Sequence, residues 1–198
     1  MQTLSDEDLI AQLQLGQTDA LDELYRRHAR QLYVFCYHTM RQNPQQAEDL
    51  VHDVFERIIK SAHTFNPRKA AFRTWMFRIA RNHCIDVMRR NTKLSFVPIE
   101  QAPEAPGDAP ALADTLPAPD DGVEATVEHT TMIQAVRECI RALENDDEKQ
   151  AILLYYLGDK VYREIATILG KSLSMARNYI KAAQDLSLIH ISEPTRPY

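Results

Sequence analysis

Between Lys60 and Lys93 nine lysines and arginines stand against one carboxylate, Asp86, with Phe65, Phe72, Trp75 and Phe77 threaded among them. Cations at that density neutralise phosphates, and rings beside them can stack on unpaired bases. The chemistry this stretch could do is therefore nucleic-acid binding. The protein as a whole is acidic, at formal charge −5. Residues 1–59 hold five basic and ten acidic side chains, residues 94–128 none and eight, and residues 129–198 nine of each. Such alternation argues against a general polyanion binder and for one defined basic patch. A solvated basic helix face would give the same composition, so both readings stand at this point.

The element that must position these cations is a helix over residues 71–90. At about 100° per residue, Phe72, Met76, Ile79, His83 and Val87 share a stripe that should face a core. Trp75, Arg78, Asn82, Asp86 and Arg89 fall on the adjacent stripe, with Arg81 beside them and Arg90 at its end. Trp75 sits at the border and could pack inward or stack on a base. Asp86 could accept from a base amino group or pair with Arg89 or Arg90. Asn66-Pro67 breaks the preceding pattern and leaves Arg68 and Lys69 in a loop.

Three more helices are expected before it. Ser5 reads as an N-cap with Asp8 in the capping-box position, and a second helix covers residues 19–40. Asn43-Pro44 starts the third, with Asn43 capping and Pro44 at the first helical position. That third helix buries Ala47, Leu50, Val51, Val54, Phe55 and Ile58 at three- and four-residue spacing. Its opposite face carries Asp49, His52, Asp53 and Glu56, which is either simple solvation or a surface for a basic protein partner.

From 94 to 128 lie six of the ten prolines and eight carboxylates, with no lysine or arginine. Too few apolar groups are present to offset the entropy of ordering, so a flexible acidic Pro/Ala-rich linker is expected. Beyond it, helices over residues 129–185 should include a helix-turn-helix. Residues 161–169 form its first helix, with small Ala166 allowing close approach, Gly170 turns the chain, and Ser172 caps the second helix. Leu173, Ala176, Ile180 and Ala183 pack inward, leaving Lys171, Ser174, Arg177, Asn178 and Lys181 outward for a major groove. No strand or repeat is evident. The fold class is all-α, two small helical domains joined by the linker.

Enzyme chemistry finds little support. Seven histidines and three cysteines show no zinc-finger or metalloprotease spacing, and neither a phosphate loop nor a nucleophile elbow is present. No catalytic residue, metal or cofactor is expected. The N-terminus has no signal-peptide pattern, no run approaches a membrane span, and three scattered cysteines fit reduced thiols, which together suggest a cytoplasmic protein.

The segments ALDELYRRHARQLYVFCYHTM, AEDLVHDVFERII, FRTWMFRIARNHCIDVMRRN and YREIATILGKSLSMARNYIKAA resemble, in order and spacing, a bacterial sigma-70-family sigma factor of the extracytoplasmic-function group. The resemblance implies a region 2-like domain over 1–93, the linker over 94–128 and a region 4-like domain over 129–185. It implies core RNA polymerase and promoter DNA as partners, with an anti-sigma factor as a further one. Asp49, His52, Asp53, Phe55 and Glu56 would dock on the polymerase clamp. Asn66, Arg68, Lys69, Trp75, Arg78, Arg81, Asn82, Arg89 and Arg90 would bind and open the −10 element. Lys171, Ser174, Arg177, Asn178 and Lys181 would read the −35 element, and the linker would pass near the polymerase active centre. Two sites depart from the family pattern: His52 replaces a usual Gln, and Tyr179 and Ala182 replace customary basic residues. Residues 186–198, LSLIHISEPTRPY, resemble a translated sequencing adapter, so the native sequence is expected to differ after about Asp185. A stand-alone helix-turn-helix regulator and a protein-binding helical adaptor remain the other readings.

Overall fold

The computed structural model describes residues 4–40, 43–94, 143, 145–157 and 161–192, without the side chains of 92–94, 157, 183–184 and 186–192. All the regular elements among these residues are helices, with no strand, and they fall into two compact units. The acidic linker over 95–128 and the start of the second expected domain lie outside the described residues.

The first unit contains α1 (Asp6–Gln14), α2 (Asp19–Thr39), α3 (Pro44–Ser61), a 3-10 turn (Ala62–Thr64) and α4 (Phe72–Leu94). The expected start signals are met. Ser5 Oγ accepts from Asp8 N while the Asp8 carboxylate accepts from Ser5 N. Asn43 Oδ1 accepts from Gln46 N at 3.0 Å, with Pro44 opening α3. The α3 stripe Ala47, Leu50, Val51, Val54, Phe55 and Ile58 is buried as its spacing requires. Helix α3 packs on α2 and α4, where Leu24, Leu32 and Phe35 of α2 and Phe72 and Met76 of α4 are likewise essentially inaccessible to solvent. Burying each such side chain contributes about 2 kcal/mol.

The inward face of α4 is rotated from the expected one. Phe72, Met76 and His83 are buried, but Ile79 and Val87 are only half-buried; Trp75, Phe77, Ala80 and Cys84 take the inner positions instead. The cause is that α4 is wrapped on more than one side. Phe35 of α2 meets Phe77 edge-on at 5.4 Å, and Phe65 folds back from the preceding loop onto Trp75 at 5.2 Å. The helix runs on to Leu94, since no Gly or Pro interrupts it.

The second unit contains α5 (Asp146–Leu157), α6 (Tyr162–Leu169) and α7 (Leu173–Ser192). Gly170 ends α6 at φ 62° and ψ 33°, a left-handed conformation that favours glycine. Ser172 Oγ then accepts from Met175 N at 3.2 Å, capping the start of α7. Ile165, Ile168 and Leu169 of α6 pack with Ala176 and Ile180 of α7 and Ile152 of α5 in a buried core. Helix α7 continues to Ser192 instead of stopping near Asp185, because the next helix breaker is Pro194.

Candidate nucleic-acid and partner interfaces

The basic stripe of α4 forms much as its spacing predicts. Arg78, Asn82, Asp86, Arg89 and Arg90 are exposed or half-exposed, as is Arg81. Arg90 Nε reaches back to the Asp86 carbonyl at 3.4 Å, so the expected pairing uses that residue's backbone. Trp75 does not belong to the stripe. It is 7 % exposed, packed against Phe65 and Phe72, and serves the core.

The loop before α4 presents the remaining cations. Lys69 N donates to Asn66 O at 3.0 Å, closing a β-turn with Pro67 second in it, where the fixed proline φ is suited. Asn66 Oδ1 also accepts from Arg68 N at 2.9 Å, so the side-chain oxygen is occupied within the turn. Arg68 and Lys69 project into solvent from this closed corner.

On α3, Asp49, His52, Asp53 and Glu56 share the solvent-facing side. Phe55 departs from the expected interface set: it is 4 % exposed and packs on Tyr25 at 4.8 Å between ring centroids. It lies on the apolar stripe, so in the free chain its ring is taken up by the core. Two of the carboxylates have internal partners. Glu56 pairs with Lys60 in an exposed ion pair. Asp53 Oδ2 lies 2.6 Å from Nε2 of buried His83, tying α3 to α4.

In the second unit Ser174, Arg177, Asn178 and Lys181 lie along the outer side of α7. Lys171 is not simply outward. Its Nζ lies 2.8 Å from Asp147 at the start of α5, and its side chain is 30 % exposed, so it fastens the turn to its own domain.

Several contacts had no sequence signal because their partners lie far apart in the chain. Asp6 receives Arg27 Nη1 at 2.9 Å and His28 Nε2 at 2.7 Å. Burial pushes the His28 imidazole below its ordinary value, outweighing the pull of Asp6. Glu7 Oε1 accepts from Phe72 N at 3.0 Å, and Gln14 Nε2 donates to Ala62 O and Phe65 O at 2.9 and 3.2 Å. Cys36 and Cys84 are free, buried and 4.0 Å apart, and their mutual contact with burial raises the Cys36 thiol well above its ordinary value. Among the described residues no cluster of His, Cys, Asp and Glu suits a metal ion, and no helix is long and apolar enough to cross a membrane.

Comparison with known proteins decides among the readings. The family pattern "Sigma-70 region 2" matches residues 24–94 and "Sigma-70, region 4" matches residues 133–183. The chain is 30 % identical over 147 residues to the ECF RNA polymerase sigma factor RpoE of Cereibacter sphaeroides, covering 74 % of this chain and 73 % of that protein. The chain belongs to the extracytoplasmic-function sigma factors. It is also 24 % identical to the RNA polymerase sigma factor YlaC of Bacillus subtilis over 84 % of this chain and 88 % of that protein. The fold is similar to that of a sigma factor RpoE solved with the anti-sigma factor NepR from Bartonella quintana. That likeness has TM-score 0.58 and 17 % identity, over 88 % of this chain and 98 % of that one. In this sigma factor the α3 and α4 faces both fall inside the region 2 match, and the outer α7 set falls inside the region 4 match. Helix α1 lies ahead of the region 2 match.

Proposed function

We propose that this sigma factor binds core RNA polymerase through Asp49, His52, Asp53 and Glu56 and directs it to promoters as a cytoplasmic, non-enzymatic specificity subunit. The −10 element is bound and opened by Arg78, Arg81, Asn82, Arg89 and Arg90 of α4 with Asn66, Arg68 and Lys69 of the loop. Ser174, Arg177, Asn178 and Lys181 read the −35 element, while Lys171 holds the turn in place. The observation that carries this reading is the separation of charge within the first unit. An acidic outer face on α3 and a cationic stripe on α4 sit on neighbouring helices, which suits one protein partner and one nucleic-acid partner. By analogy with the RpoE–NepR complex, an anti-sigma factor is a further partner. Domain limits of 1–93 and 129–185 about an acidic linker, with a non-native tail after about Asp185, belong to the same reading.

The test is transcription in vitro with core polymerase on sheared bacterial genomic DNA. Discrete start sites that appear only when the protein is added are expected. Tight duplex binding by the protein alone, without polymerase-dependent initiation, would instead identify a stand-alone regulator. No effect on DNA in any mixture would identify a protein-binding adaptor.

A further inference from the structure

The loop that presents Arg68 and Lys69 is held at both ends by a single helix that precedes the matched sigma regions. On its upstream side, Gln14 Nε2 donates to Ala62 O and Phe65 O. Both neighbours are carbonyl oxygens, so only the amide nitrogen can face them, which fixes the orientation of the side chain. On its downstream side, the loop ends at Ala71, a residue with no side chain able to cap a helix. Glu7 Oε1, 65 residues away from its partner in sequence, accepts from Phe72 N and so occupies an α4 N-terminal donor with a carboxylate. Helix α1 is in turn fastened to α2 by Asp6, through Arg27 and His28. Between the two clamped ends the chain turns through the closed Asn66–Lys69 corner. Restricting a loop before it binds lowers the ordering cost of binding.

We propose that Gln14 and Glu7 are positioning residues for −10 recognition: α1 is a bracket that sets the loop carrying Arg68 and Lys69 at the start of α4. The inference rests on the −10 reading of that loop. It predicts that removing either the two Gln14 hydrogen bonds or the Glu7 one lowers single-stranded DNA affinity and blurs base preference without touching polymerase docking.

The test uses the full chain assembled with core RNA polymerase and a randomised pool of short single-stranded DNA oligonucleotides, sequenced before and after capture. Glu7→Leu should weaken capture about fivefold, the scale of one lost hydrogen bond, and Gln14→Leu, which loses two, should weaken it further. Each should also flatten the preference at one base position, while polymerase affinity stays at the wild-type value. Glu7→Gln keeps an oxygen that can accept from Phe72 N, so it should restore capture to within about twofold of wild type. Gln14→Glu sets a carboxylate against two carbonyl oxygens and should be worse than Gln14→Leu. Arg68→Ala with Lys69→Ala serves as the control for the underlying reading. If that control loses capture but the α1 variants do not, the bracket is refuted and the −10 reading stands. If the α1 variants lose polymerase binding in equal measure, α1 is merely part of the scaffold and the bracket is again refuted. If the control itself captures DNA like wild type, the −10 reading fails and takes the bracket with it.

Discussion

The two helical units position the residues proposed to bind DNA by opposite means. In the second, nearly every determinant is local. Gly170 turns the chain, Ser172 caps α7 through the Met175 amide, and Ala176 and Ile180 set which face is left outward. The Lys171–Asp147 pair reaches further. In the first unit the cationic loop and stripe depend on contacts between distant segments: Glu7 with Phe72, Gln14 with Ala62 and Phe65, Asp53 with His83. A short recognition hairpin can be encoded in its own turn and caps. A surface meant to hold a loop and a long helix in fixed register needs ties from outside them.

That contrast is sharpest at the proposed protein interface, where the largest effect is expected. Asp49→Arg with Glu56→Arg should abolish co-purification with core polymerase, since like charges at an interface cost several kcal/mol. Asp53 is left untouched because it holds buried His83, so reversing it would test folding and docking together. Thermal stability of the double variant should fall only slightly, since both sites lie off the buried stripe and the exposed Glu56–Lys60 pair is worth about 0.5 kcal/mol. Unchanged co-purification would remove the docking assignment.

A smaller effect is expected at the locally built surface. Arg177→Ala with Lys181→Ala should weaken capture of duplex −35 DNA by about 1–3 kcal/mol for each base-reading pair removed. Each phosphate that is no longer neutralised should also flatten the salt dependence by about one unit. Gel-shift titrations of the holoenzyme at several salt concentrations separate the two contributions. Tyr179 and Ala182 already lack the customary cations, so a weak or absent effect would mean that α7 contributes little to promoter affinity.

Gly170 tests whether the second unit is as locally determined as its contacts imply. A Cβ there would meet nothing within 4 Å, so any penalty is backbone strain alone. Gly170→Ala should cost about 1 kcal/mol, and Gly170→Asn less, because Asn tolerates the left-handed region. Trp75 is the only tryptophan and is buried in the first unit. Its emission should therefore be blind to this change while helicity reports it. A shift in the Trp75 melting curve would show that the units are energetically coupled.

The same division explains what could be read from the residues. Helix starts at Ser5 and Asn43, the α3 stripe, the α6–α7 hairpin and the outward set on α7 all follow from spacing within one or two turns. Trp75, at the border of two stripes, is decided by something else. A stripe assignment counts angles around one helix, but burial depends on what else folds over it, here Phe65 on Trp75. Phe55 is buried as its stripe requires; its docking role came from the family resemblance and not from its spacing. The partners of Lys171, Asp53, Glu7 and Gln14 could not be inferred, because hydrogen bonds and ion pairs between distant segments leave no periodic trace.

The smallest expected effect concerns pH, and it should fall on the first unit. His28 is 7 % exposed, its Nε2 beside Asp6 and its Nδ1 buried without a hydrogen-bond partner. Burial holds its affinity for a second proton below the ordinary histidine value of 6.5, despite the neighbouring carboxylate. The unfolded chain therefore takes up that proton more readily than the folded one. Stability from this site is complete above the ordinary value and is lost as pH falls through the depressed one. Melting followed by Trp75 emission should shift to lower temperature between about pH 7.5 and about pH 5.5, and less so in His28→Gln, whose amide can still donate to Asp6 without titrating. Between residues 143 and 189 the sequence has no histidine, so the packed α5–α7 core lacks this source of proton linkage in the same interval. If His28→Gln follows the wild-type pH profile, the acid sensitivity belongs to another group and the Asp6–His28 tie is not its origin.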